Sequence, residues 1–302
     1  MLHPDQTPPE FALSLCDVLP AAAATPQVVA DIADRALAES GAGSFRRLYV
    51  GSYFCDRLFL TQVPAQAQAA ADFADQYGLQ LTLVLPICSQ HLLEPVKQLT
   101  RQLLDAHPAI DELVANDPAM LRFAADLAEA APRPLRLATG RLLARSQRDP
   151  RYFELEAGPQ PFALDDEAAF RLENLTRCRI SRVEVDPFAP VVSTWRLTQT
   201  PLALHLPHAV MTTGHICAPA SSDLPPERKF RPDGPCQHQC LQRITVHQAA
   251  NDRGQDVFLT RQGRTVFFEN PACVIDGPQP QRIIWTPADF LCSEGGSPWD
   301  QF

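Results

Sequence analysis

Short apolar runs of β type alternate with segments of helical period along most of this chain, and few architectures accept such a pattern. Eight runs read as strands: Phe11 to Val18, Arg46 to Val50, Gln80 to Leu85, Ile110 to Val114, Leu135 to Thr139, Ile180 to Val185, Leu202 to Leu206 and Arg282 to Trp285. Between them lie amphipathic segments, Pro26 to Glu39, Ala65 to Gln76, Leu92 to Ala106, Pro118 to Glu129 and Asp165 to Asn174. Thr25-Pro26 and Asp117-Pro118 each place a capping side chain before a proline at the first helical position. Eight βα-like units predict a single α/β domain over residues 1–302, a TIM-like (β/α)8 barrel, intact, incomplete or distorted. Functional groups are then expected where the strands end. The rhythm breaks after the seventh strand, where residues 211–275 read as a Cys-rich loop and a β-hairpin, Asp256 to Glu269, inserted before the last strand.

With 302 residues, 45% of them hydrophobic, the chain can bury one large core. Its opening residues lack the basic flank and apolar run of a secretory signal, and no apolar stretch is long enough to span a bilayer, so a cytoplasmic location without a membrane span is expected. The nine cysteines are then reduced thiols or metal ligands in preference to a disulfide framework. A net charge of −9 lacks the broad basic footprint of a nucleic-acid binder. Local clusters at Arg141, Arg145, Arg148 and Arg151, and at Arg228, Lys229 and Arg231, read first as solvated faces.

Cys236-Gln-His-Gln-Cys240 lies in an irregular, proline-rich stretch, where two thiolates can turn toward one ion or cluster. Cys217 and the remote Cys55 would supply the third and fourth ligands. Read alone, a C-x3-C pair is a weak signal, and a buried cysteine is often a small hydrophobe. Four sulfur ligands suit structural zinc or a cubane cluster, and spacing does not decide between them. His215 and His238 flank the cysteines, while Cys16 and Cys88 read as core residues on or after barrel strands. Glu184 and Asp186 share one face of the sixth strand. Glu184 is the candidate base near the barrel mouth, with an ion pair to Arg182 as the plain alternative. No G-x-S-x-G, H-E-x-x-H or phosphate-binding loop is present.

The runs Ser181-Arg-Val-Glu184-Val-Asp186, Leu204-His-Leu-Pro207, Met211-Thr-Thr-Gly-His-Ile-Cys217 and Arg231-Pro-Asp-Gly-Pro-Cys236-Gln-His-Gln-Cys240 resemble the cysteine-bearing core of the peptidase U32 family. Leu48-Tyr-Val-Gly51-Ser-Tyr-Phe-Cys55 and Val114-Ala-Asn116-Asp117 extend the likeness upstream. The chain is most similar to the short type involved in ubiquinone hydroxylation. That resemblance implies a four-iron four-sulfur cluster on Cys55, Cys217, Cys236 and Cys240, with zinc as the alternative. It also implies oxygen-independent hydroxylation of a small aromatic or quinone-type substrate, with Glu184 in the site. A prephenate-like oxygen donor is expected, its carboxylates bound by Arg136, Arg141 and His208, and so is a second family subunit as partner. The alternatives are a U32-type peptidase, RNA-base hydroxylation, or a non-catalytic zinc or cluster scaffold. The proline-rich spacer between Cys217 and Cys236 and the proline-rich N-terminus depart from that type.

Overall fold

The computed structural model describes residues 8–17, 19–144, 177–187, 200–231, 234–241, 243–250, 254, 256–269 and 280–287. Strands β1 (Glu10–Ser14), β2 (Arg47–Gly51), β3 (Gln80–Leu85), β4 (Ile110–Ala115), β5 (Arg136–Thr139), β6 (Arg182–Val185) and β7 (Leu202–Leu206) run parallel around a barrel. The chain then leaves it for a second, antiparallel sheet of β8 (His208–Thr213), β9 (Ile244–Ala250), β10 (Asp256–Gln262) and β11 (Thr265–Glu269). It returns as β12 (Arg282–Trp285), which pairs with both β7 and β1 and closes the barrel. The (β/α)8-type expectation is therefore met, and the inserted hairpin is half of a four-stranded sheet.

Helices α1 (Pro26–Ser40), α2 (Asp56–Tyr77), α3 (Leu93–Ala106) and α4 (Pro118–Ala130) cover the barrel. Thr25 and Asp117 cap α1 and α4 by accepting hydrogen bonds from the Val28 and Met120 amides at 3.2 and 2.8 Å. The α2 helix starts well before Ala65 and runs through Pro64. A proline removes one intrahelical donor, but Phe59 and Val63 in those early turns are buried in the core under the helices. Burying each such side chain is worth about 1.5–3 kcal/mol, enough to keep the interrupted segment helical. The helix expected at Asp165 to Asn174 lies outside the described residues.

Two cores result from strand alternation. Leu13, Leu48, Leu81, Leu83 and Leu113 face the helices, while Ala12, Tyr49, Val84, Val114, Ala138, Ala203 and Ile284 face the barrel axis. The base of the barrel is ionic. Fully buried Arg282 pairs with Glu112 and donates to the Tyr49 hydroxyl at 2.6 Å, and Arg47 bonds Glu10 and Asp111 at 3.1 and 2.6 Å. Among the described residues no helix is long and apolar enough to cross a membrane.

Candidate functional site: a thiol pocket above the barrel mouth

Cys55 ends the loop between β2 and α2, and the fold of that loop is set by residues before it. Gly51 has φ +126°, and a Cβ there would meet Val84 backbone atoms at 2.2 Å, so β2 can run this close to β3 only with glycine. The loop then wraps around Asp17, itself at φ +61°, in the left-handed region that L residues other than Asn and Asp seldom enter. The Asp17 carboxylate accepts from the Tyr53 amide at 2.8 Å and from the Ser52 hydroxyl, while Ser52 Oγ accepts from the Cys55 amide at 2.9 Å. Burial, opposed by those hydrogen bonds, pushes the Asp17 pKa up to about 6.

Cys217 immediately precedes the short helix α5 (Ala218–Ser222), and Cys236 and Cys240 follow on the loop that leads to β9. All four cysteines line one pocket, together with His215, Gly263 and three guanidinium-bearing residues, Arg57, Arg231 and Arg264. Cys55 thus meets a loop from the far end of the sequence. Arg57 secures that loop by donating to the Gly234 carbonyl, and Thr61 on α2 bonds His238 Nε2 at 2.9 Å. Burial raises the thiol pKa values of Cys55, Cys217 and Cys240, and on Cys55 the neighbouring Arg264 pulls the other way. Among the described residues, no three His, Cys, Asp or Glu side chains are arranged to share a single metal ion.

A second, smaller cavity lies at the barrel mouth, bounded by Ser14, Cys16, Tyr53, Arg141, His208 and Thr286. Asp17, Phe54, Gln262 and Phe267 line both spaces and form the wall between them. Phe54 and Phe267 meet edge to face at 5.4 Å, and Gln262 donates to the Asp17 carbonyl at 3.1 Å. His208 Nε2 is buried without a hydrogen-bond partner among the described residues, and burial beside Arg141 pushes this imidazole down to about 3, so it is neutral.

No protein-family model matches the chain, and no curated protein does. Among solved structures it is similar to the U32 peptidase Mk0906, with 10% identity over 95% of this chain and 96% of that one and a TM-score of 0.45. Orotidine 5'-monophosphate decarboxylase from Methanocaldococcus jannaschii is similar at 9% identity, over 65% of this chain and 77% of that one, with a TM-score of 0.40. At scores this low the barrel rests on its own strand pairing.

Several expected positions are corrected by the structure. Glu184 is not at the mouth but below it, fully buried in the barrel, where its Oε2 takes a hydrogen bond from Tyr53 and lies 3.1 Å from His205 Nε2. It is not paired with Arg182, which is 4.0 Å from Glu112. Burial, reinforced by nearby Glu112, pushes the Glu184 pKa up to about 8, so the carboxyl is protonated at neutral pH. Asp186, one layer higher on the same face, holds Arg141 in a buried ion pair. Arg136 begins β5 at the opposite end of the barrel and pairs with Asp111, so it cannot act with His208 on one ligand. Cys16 lines the mouth cavity, and burial with Asp17 alongside raises its thiol pKa well above normal, the reverse of an activated thiolate nucleophile. Cys88 lines neither space; its amide donates to Asp117 at 2.7 Å. Asp17 and Arg264 carry no motif, and neither they nor Ser52 and Gly263 were singled out from the sequence, although Asp17 directly follows Cys16, Ser52 lies in the Leu48 to Cys55 run and Gly263-Arg264 is the centre of the expected hairpin.

Proposed function

We propose that this chain is an iron–sulfur protein supporting oxygen-independent hydroxylation of a small aromatic or quinone-type substrate, with a prephenate-like donor that gives up the oxygen atom and is itself reduced by two electrons. The observation that carries the reading is the convergence of four thiols in one arginine-lined pocket that shares a wall with a cavity in the barrel mouth. Cys55, Cys217, Cys236 and Cys240 would hold a four-iron four-sulfur cluster, the usual complement of a four-thiolate shell. The pocket is cut to leave room there. A Cβ on Gly263 would press on Cys240, so the glycine keeps that face open. Four thiolates around one zinc would each lie about 2.3 Å from it. A cubane presents a separate iron to each thiolate, and the four thiols that line this pocket supply the number it needs. When bound, the cluster supplies single-electron transfer.

The remaining work falls to side chains. Tyr53, Phe54 and Phe267 give the mouth cavity aromatic walls. Asp17, with a pKa of about 6, can exchange a proton there near neutral pH, while His208, held neutral, can offer a hydrogen bond. Glu184 does not reach the cavity and acts through Tyr53, whose hydroxyl it fixes at 3.1 Å. The antiparallel sheet contributes buried Gln262 and Phe267 to the wall of the mouth cavity. A net charge of −9 favours a small substrate over RNA. The expected second U32-family subunit belongs to the same proposal.

The test is a deletion strain grown without oxygen, assayed by mass spectrometry for quinone intermediates and modified nucleosides. The strain should lose a hydroxylated quinone-type product only under anaerobic growth, and Cys236→Ser should not restore it. Restoration by that variant, or a change in nucleosides alone, would count against the reading.

A further inference from the structure

Arg264 sits in the turn between β10 and β11, with its side chain 6% exposed, and lines the thiol pocket. Its Nη2 donates to Asp56 Oδ1 at 2.6 Å, and its positive charge opposes the rise that burial gives the Cys55 thiol pKa. Asp56 is itself fixed, because its carboxylate also accepts from the Ser89 and Arg57 amides at 2.8 and 3.0 Å. Asp56 does not line the pocket, whereas the guanidinium it holds does. One donor remains over. Arg264 Nε is buried with no hydrogen-bond partner among the described residues, a state that is destabilising when nothing satisfies the group.

We propose that Arg264 is a positioning residue for the bound cluster, its spare Nε–H donating to a sulfur of the thiolate cage while Asp56 holds the guanidinium in place. This rests on the cluster reading above. A cubane with four thiolates carries net negative charge, and hydrogen bonds and positive charge at its sulfurs favour the reduced state. Arg264 therefore raises the reduction potential. Lysine keeps the charge but lacks the planar fork that can serve Asp56 and a sulfur together.

The experiment is an EPR-monitored redox titration of anaerobically purified full-length wild type, Arg264→Lys and Arg264→Gln, with iron and sulfide analysis of each. With the cluster retained, Arg264→Gln should favour the oxidised form by roughly tenfold or more, which for one electron is about 59 mV, and Arg264→Lys by less. Equal midpoints in the three proteins, each fully loaded, would overturn the inference and leave the cluster standing. Wild type lacking iron and sulfide would instead remove the cluster reading, and this inference with it. Loss of iron from both variants, with a lowered unfolding temperature of the metal-free proteins, would overturn it in favour of a purely structural Arg264–Asp56 pair. Loss of iron with that temperature unchanged would support it.

Discussion

Gly263 faces Cys240 so closely that a Cβ added to the glycine would stand 3.2 Å from the Cys240 Cβ and 3.8 Å from its sulfur. The φ of Gly263, +60°, is left-handed as well, so alanine there would bring about 1–2 kcal/mol of backbone strain besides the contact. Gly263→Ala should lower iron and sulfide per chain sharply while the metal-free protein loses only a few degrees of unfolding temperature. Metal analysis beside thermal unfolding checks both; a fully loaded variant would show that Cys240 is not held against this turn.

Single replacements at Cys55, Cys217, Cys236 and Cys240 by serine should each deplete iron. Cys88→Ser should not, because Cys88 lies outside the pocket. Equal depletion in all five variants would indicate general misfolding.

Glu184 makes stability depend on pH in a definite direction. Its carboxyl has a folded pKa of about 8 against an ordinary 4.5, so the folded state keeps a proton that the unfolded chain releases. The resulting contribution is fully present below about 4.5 and is lost as pH rises through about 8, with a slope of at most about 1.4 kcal/mol per pH unit. Asp17, raised from 3.8 to about 6, acts the same way over a lower range. His208, lowered from 6.5 to about 3, acts oppositely and loses stability on acidification. Glu184→Gln isolates one term: in chemical denaturation its stability relative to wild type should rise between pH 5 and pH 8. A difference that stays flat would mean Glu184 ionises normally.

The ionic base of the barrel should be intolerant of truncation. Arg282→Met leaves Glu112 buried without its nearest cation, and removing one partner of such a pair costs about 3–5 kcal/mol. Urea unfolding should show a loss of that order with little change in iron content of the folded fraction.

Most of the barrel was legible because period-two runs and capped helices are local signals, as at Thr25-Pro26 and Asp117-Pro118. What the sequence concealed was decided by tertiary packing. Pro64 reads as a helix breaker, yet burial of Phe59 and Val63 carries α2 across it. Glu184 and Asp186 alternate correctly, but their depth in the barrel follows from strand register, which no local pattern reports. His208 follows the seventh barrel strand closely in sequence yet opens a different sheet. The four cysteines were readable as residue types, whereas Arg264, Asp56 and Gly263 matter only because the β10–β11 turn folds onto the start of α2.

The cluster itself is tested most directly by purifying the full-length chain without oxygen and determining iron, acid-labile sulfide and zinc per chain. The account predicts brown protein with about four irons and four sulfides, as a cubane on four thiolates requires. One equivalent of zinc without sulfide would contradict it.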